Sequence, residues 1–516
     1  MPISSGKRPA LGHRAKRWLY IAHRWIGICS CLLFAIWFVS GLVMIYVPFP
    51  ALTRQERLAG LEPIDWRRID VQPAAALAAA GMAVPKAMAL EMRDGAPVWR
   101  IDPWDGPQAI TAARNPLRPV DAAMARRVAQ RFGRAPVRAL ERIEHDQWTV
   151  AGGFDRHRPL WKAELDDPAG TVLYISSTSG AVVLDTRRQE RFWNWLGSVP
   201  HWIYPTVLRQ DNAAWRQVVL WVSGPCIAAA VTGMWIGILR MRIGRRRFRG
   251  GRITPYRGWM WWHHVAGLTG GLFLLAWIFS GWLSVDPGRL FASPGISRTA
   301  QIAYAGAGTA PPLAFGRLAQ AAAGAKRLEL RWIAGQPLVV IERAAMPATN
   351  LDAATLAPIR PSERMILKAA AKLVPGARIL EVERLNAPDA YWYEVGALPR
   401  LPILRVKYDD PARTWAHIDP ATGAILGDLD CRRRTYRWLF DLLHKWDLNG
   451  LTLHRPVWDI FLWALSLLGL ATSMSGIWIG WARMTRGGGA TAPPSARLRQ
   501  ADTATSASGR AMSREG

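Results

Sequence analysis

"HRWIGICSCLLFAIWFVSG" runs from His23 to Gly41, and "HHVAGLTGGLFLLAWIFSG" runs from His263 to Gly281. Each opens on histidine, continues as an apolar run and closes on Ser-Gly. A helix rises about 1.5 Å per residue, so about 20 apolar residues cross a hydrocarbon core about 30 Å thick. Four uncharged runs reach that length: Trp25 to Val47, Val218 to Leu239, Val265 to Val285 and Ile460 to Trp481. The sequence therefore predicts an α-helical membrane protein with four transmembrane helices. The first run follows the basic stretch "KRPALGHRAKRW" but is longer than the apolar core of a signal peptide, and no A-x-A cleavage site follows it. It is expected to remain as an anchor. No span is expected to be interrupted, apart from "SGP" at Ser223 to Pro225, which argues against a transporter.

The 516 residues carry a formal charge of +28. Residues 51–200 hold 21 basic against 18 acidic groups and residues 286–450 hold 22 against 16, so most of the excess lies elsewhere. It falls on the N-terminus, the C-terminal tail and the loop "RMRIGRRRFRGGRITPYRG". Arginine clusters flanking apolar runs are topology signals, which excludes a nucleic-acid partner and puts these three segments in the cytoplasm. Both large polar segments then lie in the periplasm of a bacterium, outside its inner membrane. Cys29, Cys31 and Cys226 fall within spans and Cys431 beside a polar segment, a distribution that serves as buried filler and not as a disulfide framework.

The opening match belongs to a longer duplication. A shift of 240 carries His23, Gly27, Trp37, Ser40 and Gly41 onto His263, Gly267, Trp277, Ser280 and Gly281. A shift of 243 carries "DDPAGTVLYISSTSGAVVLD" (Asp166 to Asp185) onto "DDPARTWAHIDPATGAILGD" (Asp409 to Asp428), His201 onto His444, and "GMWIG" (Gly233 to Gly237) onto "GIWIG" (Gly476 to Gly480). Two parallel repeats are expected, each with a periplasmic α+β domain. "WKAEL" and "TVLYIS" alternate as strands, and "DAAMARRVAQRFG" and "SERMILKAAAKLVPG" carry helical spacing. The expected order is a basic cytoplasmic N-terminus at 1–17, a span at 18–49, a periplasmic domain at 50–190, an aromatic linker at 191–215 and a span at 216–240. A basic loop at 241–258, a span at 259–285, a second periplasmic domain at 286–433, a linker at 434–456, a span at 457–483 and a disordered cytoplasmic tail at 484–516 complete it.

Six of ten histidines lie in or beside the spans, and four of these are related by the repeat: His23 and His263 at the cytoplasmic ends, His201 and His444 in the linkers at the periplasmic side. An ionisable ring near lipid is costly and marks a candidate site. Two neutral imidazoles from different helices are what a six-coordinate haem iron takes, one above and one below the porphyrin. Zinc would want further Cys, Asp or Glu ligands, and these are not at ligand spacing. Gly27, Gly267, Gly41 and Gly281 are expected to open space beside the rings, and several of the 28 tryptophans, such as Trp25, Trp37, Trp202 and Trp277, to line it. His264 and His454 lack repeat counterparts and are second-choice ligands; Arg24, Arg191, Arg209, Arg434 and Arg437 are candidates to hold the haem propionates. His13, His145, His157 and His417 lie in polar surroundings and carry no assignment.

Taken together, "HRWIG", "HHVAG", "YISSTSGAVV", "HIDPATGAIL" and "WLGSVPHW" resemble the PepSY-associated transmembrane helix proteins, over about residues 18–484. The resemblance implies PepSY-like periplasmic domains and, as in some members, a haem-containing inner-membrane reductase of ferric siderophores. Two b-type haems would then carry electrons to a ferric chelate near Trp202 and Trp446. Some relatives carry a fused flavin domain; here no G-x-G-x-x-G follows a strand, so the donor would be an unidentified cytoplasmic protein or quinol. The alternative implied by the same resemblance is a non-catalytic membrane-anchored protein whose PepSY domains recognise a peptidase or another partner.

Overall fold

A computed structural model describes residues 11–486, except 83–84, 105–108, 112–118, 245, 307 and 396–397. The tail expected to be disordered lies outside the described residues from residue 487 on. The long helices are α1 (Leu11–Met44), α2 (Asn212–Leu239), α3 (Trp259–Thr269), α4 (Gly271–Leu283) and α5 (Val457–Arg486). Of these, α1, α2 and α5 are each long and apolar enough to cross a membrane, and α3 with α4 makes a fourth span if the bent pair counts as one. Pro225 sits inside α2 without ending it.

The third span departs from the expectation of an uninterrupted helix. Its two parts meet at 65°. The cause is the Gly270–Gly271 pair, which carries little helix propensity and admits close neighbours. A Cβ at Gly270 would meet Leu468 Cβ at 3.3 Å, and one at Gly271 would meet Met234 Cγ at 2.8 Å.

The chain divides into two compact units. Among the described residues, one comprises those up to Ala35, Val231–Gly271 and those from Leu468 on. Its helices pack through small residues, with Gly237 against Leu268 and Gly480 against Ile28. Close helix approach through glycine is the usual means of packing where lipid supplies no hydrophobic drive.

The other unit comprises Ile36–Ala230 and Leu272–Leu467 and holds every strand found among the described residues. From the first half come β1 (Ala87–Arg93), β2 (Ala96–Asp102), β3 (Ala109–Thr111), β4 (Val137–Ile143), β5 (Leu160–Leu165), β6 (Val172–Ser176) and β7 (Val182–Thr186). From the second come β8 (Arg327–Ile333), β9 (Gln336–Glu342), β10 (Thr349–Asp352), β11 (Ile379–Leu385), β12 (Ile403–Tyr408), β13 (Trp415–Ile418) and β14 (Ile425–Leu429). Two four-stranded meanders, β4-β5-β6-β7 and β11-β12-β13-β14, each share a core with a corresponding helix, and the core of the second also takes in the helix Arg298–Ala305. The corresponding helix is Ala122–Gly133, capped by Asp121, in the first case and Glu363–Ala370, capped by Ser362, in the second.

The third sheet has six strands in the order β10-β9-β8-β1-β2-β3 and draws on both halves. Antiparallel β1 and β8 join in its middle, with Leu90 opposite Leu328. The segments expected as separate domains at 50–190 and 286–433 thus share one sheet. One of its faces, including Met88, Trp99, Leu328 and Val339, is an apolar core.

Candidate functional site

The four repeat-related histidines come together as two pairs, one in each unit. In the first unit, His23 of α1 and His263 of α3 have ring centres 6.4 Å apart with planes inclined at 43°. In the second, His201, at the end of the short helix Ser198–His201, and His444, in the turn Leu443–Lys445, have ring centres 6.0 Å apart with planes at 73°. His444 follows a π-helical stretch, Arg437–Leu442, and Phe440 of that stretch stacks on its ring at 5.3 Å. π-Helical turns inside α-helices are frequent at functional sites.

Hydrogen bonds assign the tautomers. The Nδ1 of His263 lies 3.0 Å from the Thr472 carbonyl oxygen, which can only accept, so Nδ1 carries the hydrogen. Ser40 Oγ donates to the Trp37 carbonyl, so it accepts from His201 Nδ1 at 3.1 Å. Ser280 Oγ does the same, donating to Trp277 O and accepting from His444 Nδ1 at 3.0 Å. His23 Nδ1 lies 3.3 Å from Thr232 Oγ1. In these three rings the lone pair of the neutral imidazole is therefore on Nε2. Burial, reinforced at His444 by His201 and Lys445, lowers His201 to about 4 and His444 to about 3, so both rings are neutral at pH 7.

Glycines let the rings seat. A Cβ at Gly233 would meet His23 Cε1 at 2.7 Å, one at Gly41 would meet His201 Cε1 at 3.3 Å, one at Gly476 would meet His263 Cε1 at 3.3 Å and one at Gly281 would meet His444 Cε1 at 3.7 Å. A side chain at Gly41 would thus crowd His201, whereas at Gly281 a Cβ would make only ordinary contact with His444. Gly27 and Gly267 do not touch the rings: space is open around the first, and only Thr472 Cγ2 lies near the second, at 3.5 Å. Gly233 and Gly476 were visible only as members of the "GMWIG" and "GIWIG" match.

The ring-centre spacing of each pair is compatible with a metal ion held between two imidazole nitrogens. Two metal–nitrogen bonds of about 2 Å in line place imidazole centres about 6 Å apart, and the hydrogen-bonded Nδ1 orients a ring for ligation through Nε2. Among the described residues no group of three or more His, Cys, Asp or Glu is arranged to hold a metal ion. Either pair alone would leave a tetrahedral zinc short of ligands.

The second-choice histidines stand apart from the pairs. His264 is buried, with Nδ1 2.8 Å from Thr254 Oγ1 and Nε2 2.9 Å from the Gly237 carbonyl, so both its nitrogens are taken. His454 is exposed. Three of the five arginine candidates are committed: Arg191 to Thr186 and the Gly170 carbonyl, Arg434 to the Arg413 and Leu429 carbonyls, and Arg437 to Asp447 and the Ala390 carbonyl. Arg209 lies over Tyr204 and Trp215, while Arg24 is exposed. Trp277 Nε1 donates to the His444 carbonyl at 2.8 Å and so fixes the backbone beneath the ring. Trp446 packs on Phe273 and Phe461, and Trp202 on Phe49 and Tyr204. All four cysteines are free thiols.

Residues 20–327 match the sequence model of a family described as the PepSY-associated TM region. No curated protein matches the chain.

Proposed function

The chain belongs to the PepSY-associated TM region family, and from that premise we propose that it is a two-haem electron carrier of the bacterial inner membrane that reduces a ferric siderophore at the periplasmic face. The observation that carries this reading is the spacing of the two histidine pairs, 6.4 and 6.0 Å between ring centres. His23 with His263 would hold one haem b, and His201 with His444 the other. Haem b, when bound, supplies a reversible one-electron couple at the iron.

The protein's own groups do the rest. Thr472 O, Ser40 Oγ and Ser280 Oγ accept the Nδ1 hydrogens of their histidines and hold each ring in the tautomer that presents Nε2. Those hydrogen bonds also raise the basicity of the ligating nitrogen. The glycines let helix backbone approach the rings, and the apolar spans exclude water from them. The arginine-rich loop of residues 240–258 supports a cytoplasmic location for that end of the spans, so electrons from an unidentified cytoplasmic or quinol donor would enter at His23 and His263 and leave at His201 and His444. Each ferric ion takes one electron and becomes ferrous, which its chelator holds more weakly.

The test is direct. Detergent-purified protein, reduced with dithionite and freed of excess reductant, is mixed with a ferric hydroxamate or ferric citrate in the presence of a ferrous-specific chelator. Reoxidation of the protein with about one ferrous ion trapped per electron is expected. A reduced protein that stays reduced in the presence of every ferric chelate would overturn the assignment.

A further inference from the structure

The six-stranded sheet has one apolar face and one mixed face. On the mixed face, among apolar residues such as Ala89, Val98, Ile333, Leu338 and Val340, stand the charged residues Glu91, Arg100, Arg327, Glu329, Arg331 and Glu342. Charges on a covered sheet face are expensive unless paired, and here the pairing is layered. The carboxylates lie at the bottom: the side chains of Glu91, Glu329 and Glu342 are only 1%, 5% and 7% exposed. Glu91 bonds Arg100 at 2.6 Å, Arg57 at 2.9 Å and Arg327 at 3.0 Å. Glu329 is shared by Arg327 and Arg331, and Glu342 by Arg327 and Arg54.

The guanidinium groups lie above them. Arg54, Arg57 and Arg331 are 57%, 37% and 32% exposed, and together with Arg327 and Arg400 they line a cavity of about 420 Å³. Arg400 is likewise backed by a buried carboxylate, Asp419. Each of Arg54, Arg57, Arg331 and Arg400 commits one nitrogen to its carboxylate among the described residues. A guanidinium has five N–H donors in a rigid fork, so most remain for a ligand. The volume is that of a small-molecule pocket.

The cluster draws on both halves of the chain. At the shift of 240, Arg331 corresponds to Glu91, so equivalent positions supply a guanidinium and a carboxylate, whereas Arg327 corresponds to Ala87 and Arg54 and Arg57 to Pro294 and Ser297.

We propose that this cavity is a binding site for a polycarboxylate anion of the size of citrate, free or as its ferric complex, held by guanidinium groups that the buried carboxylates pre-position. Planar, forked donors match carboxylates two oxygens at a time, so several carboxylates on one molecule would be read together. The site is present in the polypeptide whether or not haem is bound, so it stands or falls apart from the reductase reading.

The experiment is calorimetric titration of citrate, ferric citrate, acetate and inorganic phosphate into the full chain in detergent, repeated for Arg54→Gln and Arg331→Gln. Both side chains are partly exposed and lie on different elements, and unliganded melting curves check that each variant folds. Saturable one-to-one binding of citrate or ferric citrate is expected, tighter than acetate or phosphate, and weakened about 10-fold or more in each variant. Absence of saturable binding by both citrate and ferric citrate, tighter binding of phosphate, or an affinity unchanged in both folded variants would overturn the proposal.

Discussion

His201 and His444 hold their ring centres 6.0 Å apart while each gives its Nδ1 hydrogen to a buried serine, Ser40 at 3.1 Å and Ser280 at 3.0 Å. The serines themselves stand 240 residues apart, at equivalent places in the two matched stretches. Ser40→Ala or Ser280→Ala removes the acceptor and leaves a buried ring N–H without it. Outer partners of this kind are worth about 10- to 100-fold in metal affinity. Haem should therefore leave the altered pair about 10- to 100-fold more readily, measured as the rate of transfer to a haem scavenger. Equal rates in variant and parent would contradict the role given to these hydroxyls.

Glycine substitutions should grade with the space around each ring. Gly233→Ala places a methyl 2.7 Å from His23 Cε1, which forces the ring to move, whereas Gly281→Ala meets His444 at an ordinary 3.7 Å. Bound haem per chain, read from the absorbance of the purified variants, should fall in the first and hold in the second. The reverse order would show that these contacts do not seat the rings.

Burial alone would raise the Glu91 carboxyl, but the guanidinium groups of Arg100, Arg57 and Arg327 outweigh it and hold it at about 2 instead of 4.5. A folded value depressed in this way contributes stability that is present above the unfolded value and lost as the pH falls through the folded one, about 3 kcal/mol in all. Glu91→Gln should abolish that dependence and cost about 3–5 kcal/mol near neutrality, because Arg100 stays buried without its partner. Melting curves between about pH 5 and pH 3 should steepen in pH dependence for the parent and flatten for the variant. Superimposable curves would contradict this account of the cluster.

Much of the architecture was legible because apolar length and arginine placement are local signals. The spans were found from run length alone, and the four histidines from their recurrence at fixed shifts. The partner of each histidine was not legible. Pairing His23 with His263 and His201 with His444 depends on helix packing, which no window of sequence contains. The bend in the third span falls at the adjacent glycines Gly270 and Gly271, whereas Pro225 lies within an unbroken helix.

The central sheet was hidden for a related reason. "AMALEMR" and "RLELRWI" each alternate as strands, yet nothing local says that Leu90 will lie opposite Leu328. The buried charges follow from that pairing, which sets Glu91 opposite Arg327 in the middle of the sheet. Ser40 and Ser280 were visible as matched letters, but their purpose appeared only with the rings that they hold.

The most direct test is the count of haems per chain in detergent-purified protein by absorbance, for the parent and for histidine-to-alanine variants. The parent should carry two and every single variant one. His201→Ala combined with His444→Ala should still carry one, because both serve the same site, whereas His23→Ala combined with His201→Ala should carry none. A colourless parent, or double variants from one pair and from two pairs that retain the same haem, would contradict the assignment.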